Sequence, residues 1–338
     1  MRALELSGDF GLENLKLVDA PDPTPGHGEV LVRMTAVSLN YRDLLMMSGT
    51  YSRAAAALPI TPFSDGCGIV ESVGTGVTRV KPGDRVSTLF FQNWASGRPT
   101  FEGLTSALGQ PIPGCGRELA VFSQHGVSKV PEFLTDHQVA TLPCAALTAW
   151  RAMFEDGDLE PGDTVVLQGT GGVSIFGLQF AKAAGYRAII TSSSDEKLSR
   201  TKAMGADLGV NYRETPAWSA PVRKATQGVG ADFVMEVGGA QTLTESLKSI
   251  RLGGHIAVIG VLSGGQEPLN IGAMIGTGAR LQGVSVGSRE MFEAMCRAID
   301  LHRISPVVDK VYPIEEARAA FEAMAAGSHF GKIVLDFG

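Results

Sequence analysis

A short apolar strand that runs into a glycine-rich turn, and from there into an amphipathic helix, restricts this chain more than any other feature. The stretch is Thr164-Val-Val-Leu-Gln-Gly169-Thr-Gly171-Gly-Val-Ser174, and helical periodicity continues over Val173–Ala184. Gly169 permits the tight turn, and Gly171 lets the backbone approach a pyrophosphate. The third position must be small so that the helix packs on the strand; Ser174 stands there in place of the usual glycine. The helix start, with Gly172 and Val173, offers free N–H groups and a positive dipole end to phosphates. The motif lies inside a longer alternation. Arg187–Thr191 reads as a strand and Lys197–Met204 as a helix, and Asp232–Val237 and Gly254–Gly260 continue the series. Strands alternating with helices predict a doubly wound parallel sheet with right-handed crossovers.

The residues before this region follow another pattern. Up to about Val130, short runs rich in Val, Ile and Thr (Glu29–Val37, Gly68–Val73, Asp84–Leu89) are separated by turns such as Lys81-Pro82-Gly83-Asp84. Such spacing predicts an antiparallel, barrel-like domain. After Gly287 come a helix over Glu290–His302, a second over Ile314–Ala326 opened by Pro313, and a final strand over Lys332–Asp336. This tail reads as a return to the first domain. The expected division is 1–145 completed by 287–338, with 146–286 forming the dinucleotide domain, in keeping with roughly 100–200 residues per domain.

The ribose end of the dinucleotide is read from the second strand. An NAD-preferring site usually carries Asp or Glu there, about 20 residues past the glycines. Here the strand ends in Ser192-Ser193-Ser194, with Lys197 and Arg200 on the next helical turns and Tyr212 after the third short strand. Hydroxyls and cations suit a 2′-phosphate, which a carboxylate would repel. The expected cofactor is NADP, with NAD as the alternative. Asp195 is the contrary residue: it either caps the helix beginning near Glu196 or bends back to a ribose.

Charge and composition exclude other classes. Lys and Arg number 29 against 35 Asp and Glu, a net charge of −6, and no basic stripe suited to nucleic acid is visible. No apolar run approaches the roughly 20 residues a membrane span needs, and the N-terminus lacks an apolar signal core, so a cytoplasmic location is expected. Cys67, Cys115, Cys144 and Cys296 form no Cys-x-x-Cys pair and read as reduced thiols.

Several segments together resemble the medium-chain dehydrogenase/reductase superfamily, essentially end to end. They are Gly66-Cys-Gly-Ile-Val-Glu-Ser-Val-Gly74, Val80-Lys-Pro-Gly-Asp-Arg-Val86, the Gly169 fingerprint with Ala181-Lys-Ala-Ala-Gly185, Gly205-Ala-Asp207, and Phe330-Gly-Lys-Ile-Val334. The resemblance implies an α/β chain: a GroES-like β-barrel catalytic domain plus a Rossmann domain, with the active site between them. At the positions where zinc-dependent relatives carry Cys, His and Cys, this chain has Asn40, Ser64 and Cys144. Zinc prefers thiolate and imidazole sets, so no metal is expected. The Asn40-Tyr41-Arg42-Asp43 segment looks like that of the zinc-free quinone-oxidoreductase branch.

That likeness implies hydride transfer from NADPH to an activated C=C bond or a quinone. There the negative charge spreads into an enolate or hydroquinone that a few donors can stabilise. The alternatives are an alcohol dehydrogenase or carbonyl reductase, and a non-catalytic NADPH-binding protein. Asn40 and Tyr41 sit where the metal and its neighbours would have been. Asn40 either hydrogen-bonds substrate or nicotinamide or holds a loop. Tyr51 either donates a proton or walls the pocket. Arg42 either faces an enolate oxygen or pairs with Asp43 or Asp65. Phe63 and Trp94 are expected as walls. Resemblance also points to Thr148 beside the carboxamide, Gly238 near the adenosine, Val261, Leu262, Val286 and Gly287 around the nicotinamide, and Lys332 at a phosphate or the interdomain cleft. The long polar stretch 91–114 is expected to cover the substrate cleft or a subunit contact. Gly276–Val286 resembles an edge strand that pairs across a homodimer.

Overall fold

The computed structural model describes residues 1–51, 58–266, 268 and 270–338. The chain forms two compact units, one of Met1–Leu147 with Val286–Gly338 and one of Thr148–Ser285. Ala146, Leu147 and Val286, assigned to the dinucleotide domain by the sequence, thus fall in the first unit. The reason is local: Leu142–Ala146, Leu147–Trp150 and Arg151–Glu155 are helical segments in unbroken succession, so the boundary falls in a stretch without turn residues.

The first unit begins with β1 (Arg2–Leu6) and β2 (Leu15–Asp19), an antiparallel pair. Five strands of its main sheet follow: β3 (Glu29–Ser38), β4 (Asp65–Val73), β5 (Arg85–Thr88), β6 (Leu119–Ser123) and β7 (Val127–Lys129). β3 pairs with both β4 and β6, and β5 with β4 and β7, all antiparallel. One helix, Tyr41–Met47, leaves the end of β3. It buries Met46 and Met47 in a core shared with Val32, Val37, Phe63 and Phe321. Phe63, expected as a pocket wall, is instead a core residue stacked on Phe321 at 5.7 Å.

The second unit is a six-stranded parallel sheet. Its strands are β8 (Thr164–Gln168), β9 (Arg187–Ser192), β10 (Leu208–Asn211), β11 (Ala231–Glu236), β12 (Ile250–Val258) and β13 (Arg280–Gly283). Their spatial order is β10-β9-β8-β11-β12-β13. The order reverses between β8 and β11, and every residue of β8 is buried, as a central strand covered on both faces must be. The helix after β8 spans Gly172–Ala183. Gly177 on it is the residue whose size matters for packing: a Cβ there would lie 3.1 Å from Leu167 and from Met235. The close helix–strand approach assigned to position 174 therefore falls one turn later. The Ser174 hydroxyl is accommodated by donating to the Gln168 carbonyl at 2.5 Å.

The helix after β9 spans Asp195–Ala203, and its cap is Ser194, whose hydroxyl accepts from the Lys197 N–H. Asp195, expected as that cap, is the first helical residue and accepts from Asn211 Nδ2 at 2.9 Å. Serine and aspartate are both strong cap formers, and the sequence alone did not separate neighbours.

The chain then returns to the first unit through the helix Arg289–His302, β14 (Val308–Pro313) and β15 (Lys332–Asp336). β15 pairs antiparallel with β3, but β14 pairs parallel with β15, so the sheet is not purely antiparallel as expected. The helix expected over Ile314–Ala326 begins with a 3-10 turn, Ile314–Glu316, and becomes α-helical over Ala317–Ala325. Among the described residues no helix is long and apolar enough to cross a membrane.

Candidate functional site

In open α/β sheets ligands bind outside the carboxyl ends of the strands, where the strand order reverses. In the second unit that place is the ends of β8 and β11. The turn Gly169–Gly172 leaves β8 there. Gly169 has φ +75°, a conformation that favours glycine, while Gly171 is extended at φ −78° and ψ −179°. A Cβ on either residue would meet nothing within 4 Å. Gly171 therefore needs neither its φ nor its packing to be a glycine. What its small size leaves is open space directly above the N-terminus of a twelve-residue helix. Gly172 and Val173 are the first two residues of that helix. This fits a pyrophosphate held by backbone N–H groups.

Beside the turn, Ser192 is buried and its hydroxyl accepts from the Ser194 N–H at 3.3 Å, so it is turned into the protein. Ser193 and Lys197 are half-buried and Tyr212 is exposed, with its N–H bonded to the Ser192 carbonyl at 3.0 Å. Val261 and Leu262 are about half exposed in the loop after β12. Thr148 is buried at the start of this unit. Val286 and Gly287 were grouped with Val261 and Leu262 by the sequence; they belong to the first unit, where a Cβ at Gly287 would lie 3.0 Å from Leu147 and 3.2 Å from Met291.

Sequence reasoning missed a polar network at the same strand ends. Glu236, the last residue of β11, is completely buried. Its Oε1 accepts from Gly238 N and Gly239 N, each at 2.9 Å, and from the Thr242 hydroxyl at 2.5 Å. Its Oε2 accepts from Gln168 Nε2 at 2.7 Å and from the Ser246 hydroxyl. Gln168 Oε1 in turn accepts from the N–H groups of Val237 and Gly238 at 3.3 and 3.2 Å. The signal available was an acidic residue closing the apolar run Phe233-Val-Met235 at the end of its strand.

The first unit carries a second polar cluster. Asn40 caps the helix Tyr41–Met47, and its N–H donates to Asp43 Oδ2 at 2.7 Å. Asn40 Oδ1 accepts from the Lys332 ammonium at 2.6 Å, and the same ammonium donates to the Leu39 carbonyl. Lys332 is 4% exposed, so in this structure it is an internal tie between β15 and the β3–helix corner and is not extended toward a phosphate. Asp65 Oδ1 accepts from the Ser64 hydroxyl at 2.6 Å and Oδ2 from the Cys144 N–H at 3.0 Å. Burial pushes the carboxyl of Asp43 up to about 6, against the pull of the Arg42 charge, and raises that of Asp65 as well.

Zinc, which relatives of this kind bind through a Cys-His-Cys set, does not fit these residues. The Asn40 oxygen already faces an ammonium, and the Ser64 hydroxyl is spent on Asp65. The half-buried Cys144 thiol is then the one soft ligand left of the three, which is too few for a tetrahedral zinc site. Among the described residues no three His, Cys, Asp or Glu side chains gather as a metal would require.

Arg42 does not pair with Asp43 or Asp65, as one of its two expected roles required. Its guanidinium is buried, donates to the carbonyls of Leu108 at 2.7 Å and Gln110 at 3.2 Å, and lies over the rings of Tyr51 and Phe90 at 4.8 and 4.6 Å. Arg42 thus fixes Tyr51 by a cation–π contact. Tyr41 and Tyr51 themselves are both partly open to solvent, at 38% and 42%. Trp94 is buried, with its indole N–H on the Gly97 carbonyl at 3.0 Å. The stretch 91–114 is ordered by its own unit: besides the Arg42 bonds, Arg289 N and Glu290 N donate to the carbonyls of Trp94 and Ala95, each at 3.0 Å.

Comparison with known proteins agrees with both units. Residues 26–132 match the alcohol dehydrogenase GroES-like domain, and residues 172–300 match the zinc-binding dehydrogenase family. A zinc-type alcohol dehydrogenase-like protein of Schizosaccharomyces pombe is 44% identical, covering 91% of this chain and 90% of its own. The quinone oxidoreductase of Rattus norvegicus is 30% identical over 99% of this chain and 97% of its own. Among solved structures, an NAD-dependent alcohol dehydrogenase superposes with a TM-score of 0.91 at 33% identity over the whole of both chains. A mycobacterial protein complexed with NADPH gives 0.83 at 29% over 99% of each. This chain is an oxidoreductase of the medium-chain dehydrogenase/reductase superfamily.

Proposed function

We propose that this oxidoreductase transfers hydride from NADPH to an activated C=C bond or a quinone, without a catalytic metal. The observation that carries the reading is the state of the three residues at the metal-ligand positions: an amide facing an ammonium, a hydroxyl bonded to a carboxylate and a lone half-buried thiol. With no Lewis acid to hold an alkoxide, a conjugated acceptor is the easier substrate, because its charge delocalises and hydrogen-bond donors suffice. The nicotinamide supplies the hydride. The chain's own part is to seat the dinucleotide on the Gly169–Val173 turn and to shape the substrate pocket, in which Tyr51, held by Arg42, is a candidate proton donor or wall. Ser193, Lys197 and Tyr212 at the end of β9 support NADPH over NADH, since Asp195 is engaged with Asn211.

The relatives' names favour a second reading, oxidation of alcohols, because the 44%-identical protein is described as alcohol dehydrogenase-like and the 33%-identical 0.91 neighbour as an NAD-dependent alcohol dehydrogenase. One assay separates the two. Enones, quinones and primary alcohols are offered with NADPH or NADP and with NADH or NAD, before and after dialysis against a chelator. The expected result is reduction of enones or quinones, an NADPH preference of about tenfold or more in kcat/KM, and no loss after chelation. Faster alcohol turnover, or activity that needs restored zinc, would sink the proposal.

β13 closes one edge of the second unit's sheet, and an uncovered edge strand is a template for pairing. This supports a homodimer joined through β13. Light scattering on an eluting peak should give twice the 35.5 kDa of the chain; a monomer peak at micromolar concentration would contradict it.

A further inference from the structure

We infer that Glu236, acting with Gln168, is a positioning residue for the dinucleotide: its buried carboxylate locks the two turns that flank the cofactor and fills the anion-binding nest of the second one. The inference rests on the reading that the Gly169 turn seats the dinucleotide.

Glu236 and Gln168 end neighbouring parallel strands at the point where the sheet order reverses. Gln168 is followed at once by Gly169, and Glu236 is separated by one residue from Gly238. The side-chain bond between them, at 2.7 Å, is therefore a cross-link between the roots of both turns. On the far side the carboxylate gathers Gly238 N, Gly239 N and Thr242 Oγ1 on a single oxygen. Consecutive backbone N–H groups converging on one point form an anion site. Glu236 fills it from within, so the donors left for a diphosphate are those of the helix start at Gly172 and Val173, the Gly169 N–H being bonded to the Thr191 carbonyl at 2.8 Å. The Glu236 carbonyl also accepts from Ile259 N at 2.8 Å and Gly260 N at 3.2 Å, which brings the start of the Val261–Leu262 loop to the same residue. A carboxylate is the only side chain of this length that offers two acceptor oxygens and no donor.

Glu236→Gln keeps the shape and removes that property. Its amide nitrogen must face either the glycine N–H groups or Gln168 and Ser246. Gln168 cannot simply turn over in response, because its oxygen already serves Val237 and Gly238. The double variant Gln168→Glu with Glu236→Gln restores one donor facing one acceptor across the strand ends.

The test is fluorescence titration of the full chain with NADPH and with NADH, beside thermal unfolding. The inference expects a Kd about tenfold or more above the parent for Glu236→Gln, and recovery to within about threefold in the exchanged pair. With a turnover assay, KM for the dinucleotide should rise far more than kcat falls. A folded Glu236→Gln with a parental Kd would overturn the inference, as would an exchanged pair no better than the single variant. If Glu236→Gln does not fold, Thr242→Val decides, since it removes one of the three donors: a weaker Kd supports the inference and an unchanged one rejects it. A parent that binds neither dinucleotide defeats the seating of the cofactor on the Gly169 turn, and this inference with it. A parent that binds, with variants that bind equally, defeats the inference alone.

Discussion

Replacing Gly171 by valine is expected to leave the fold nearly as stable as the parent and to weaken dinucleotide binding by about a hundredfold or more, roughly 3 kcal/mol. The two halves of this expectation come from different measurements on one residue. Gly171 has φ −78° and ψ −179°, extended backbone that a β-branched residue adopts without strain, and a Cβ there would touch nothing within 4 Å. Beyond the modest preference for glycine over valine at the helix N-cap that Gly171 occupies, the protein has no internal reason to keep a glycine at this place. A diphosphate seated on the N–H groups of the helix start must come within hydrogen-bond distance of that backbone, and the valine methyl groups would occupy the same space. Gly169 and Gly177 are the controls. Gly169→Val forces a branched residue into φ +75°, and Gly177→Val drives methyl groups into Leu167 and Met235, so both should lower Tm as well as affinity. Thermal unfolding and NADPH titration on the three variants make the separation visible. A Gly171→Val protein that still binds NADPH within about threefold of the parent would show that the open space above the turn is not the diphosphate site.

The contrast among these glycines also shows what a sequence makes legible. The turn at Gly169 could be read because its demand is local: a strand, a positive φ and a helix start fall within about ten consecutive residues. The strand and helix series of the second unit was readable for the same reason, and its boundaries moved by at most four residues. The cap at Ser194 was misplaced by one position because its neighbour Asp195 has the same chemistry. What could not be read were side chains whose partners are distant in the chain. Lys332 bonds to Asn40 across 292 positions, and Gln168 to Glu236 across 68. Arg42 reaches Leu108 and Gln110, 66 and 68 residues away. No periodicity records such pairs. Resemblance assigned Lys332 to a phosphate or the interdomain cleft because it knew the residue type at the position and not the direction of its side chain.

That direction has a large consequence for stability. Lys332→Met is expected to destabilise the first unit by about 3–5 kcal/mol at pH 7. The methionine fills similar volume, but it leaves the Leu39 carbonyl and Asn40 Oδ1 without their donor and removes a cation that favours the ionised forms of Asp43 and Asp65. The penalty should depend on pH in a definite sense. Burial raises the Asp43 carboxyl from 3.8 to about 6, so its contribution to stability is fully present below pH 4 and is lost as the pH rises through 6. In the parent, Lys332 moderates this loss by holding the carboxyl down. Without it the carboxyls of Asp43 and Asp65 rise further, so the Asp43 contribution runs parallel in the two proteins up to about pH 6 and the variant falls away from the parent above it. Asp43→Asn in the same background should flatten that slope, since the amide carries no proton to lose in this range. A Lys332 extended to a phosphate would give the opposite pattern: an unchanged Tm in the free protein at every pH, and a loss confined to dinucleotide affinity. Denaturation midpoints at pH 4, 6 and 8, with and without NADPH, decide between an internal tie and a phosphate contact.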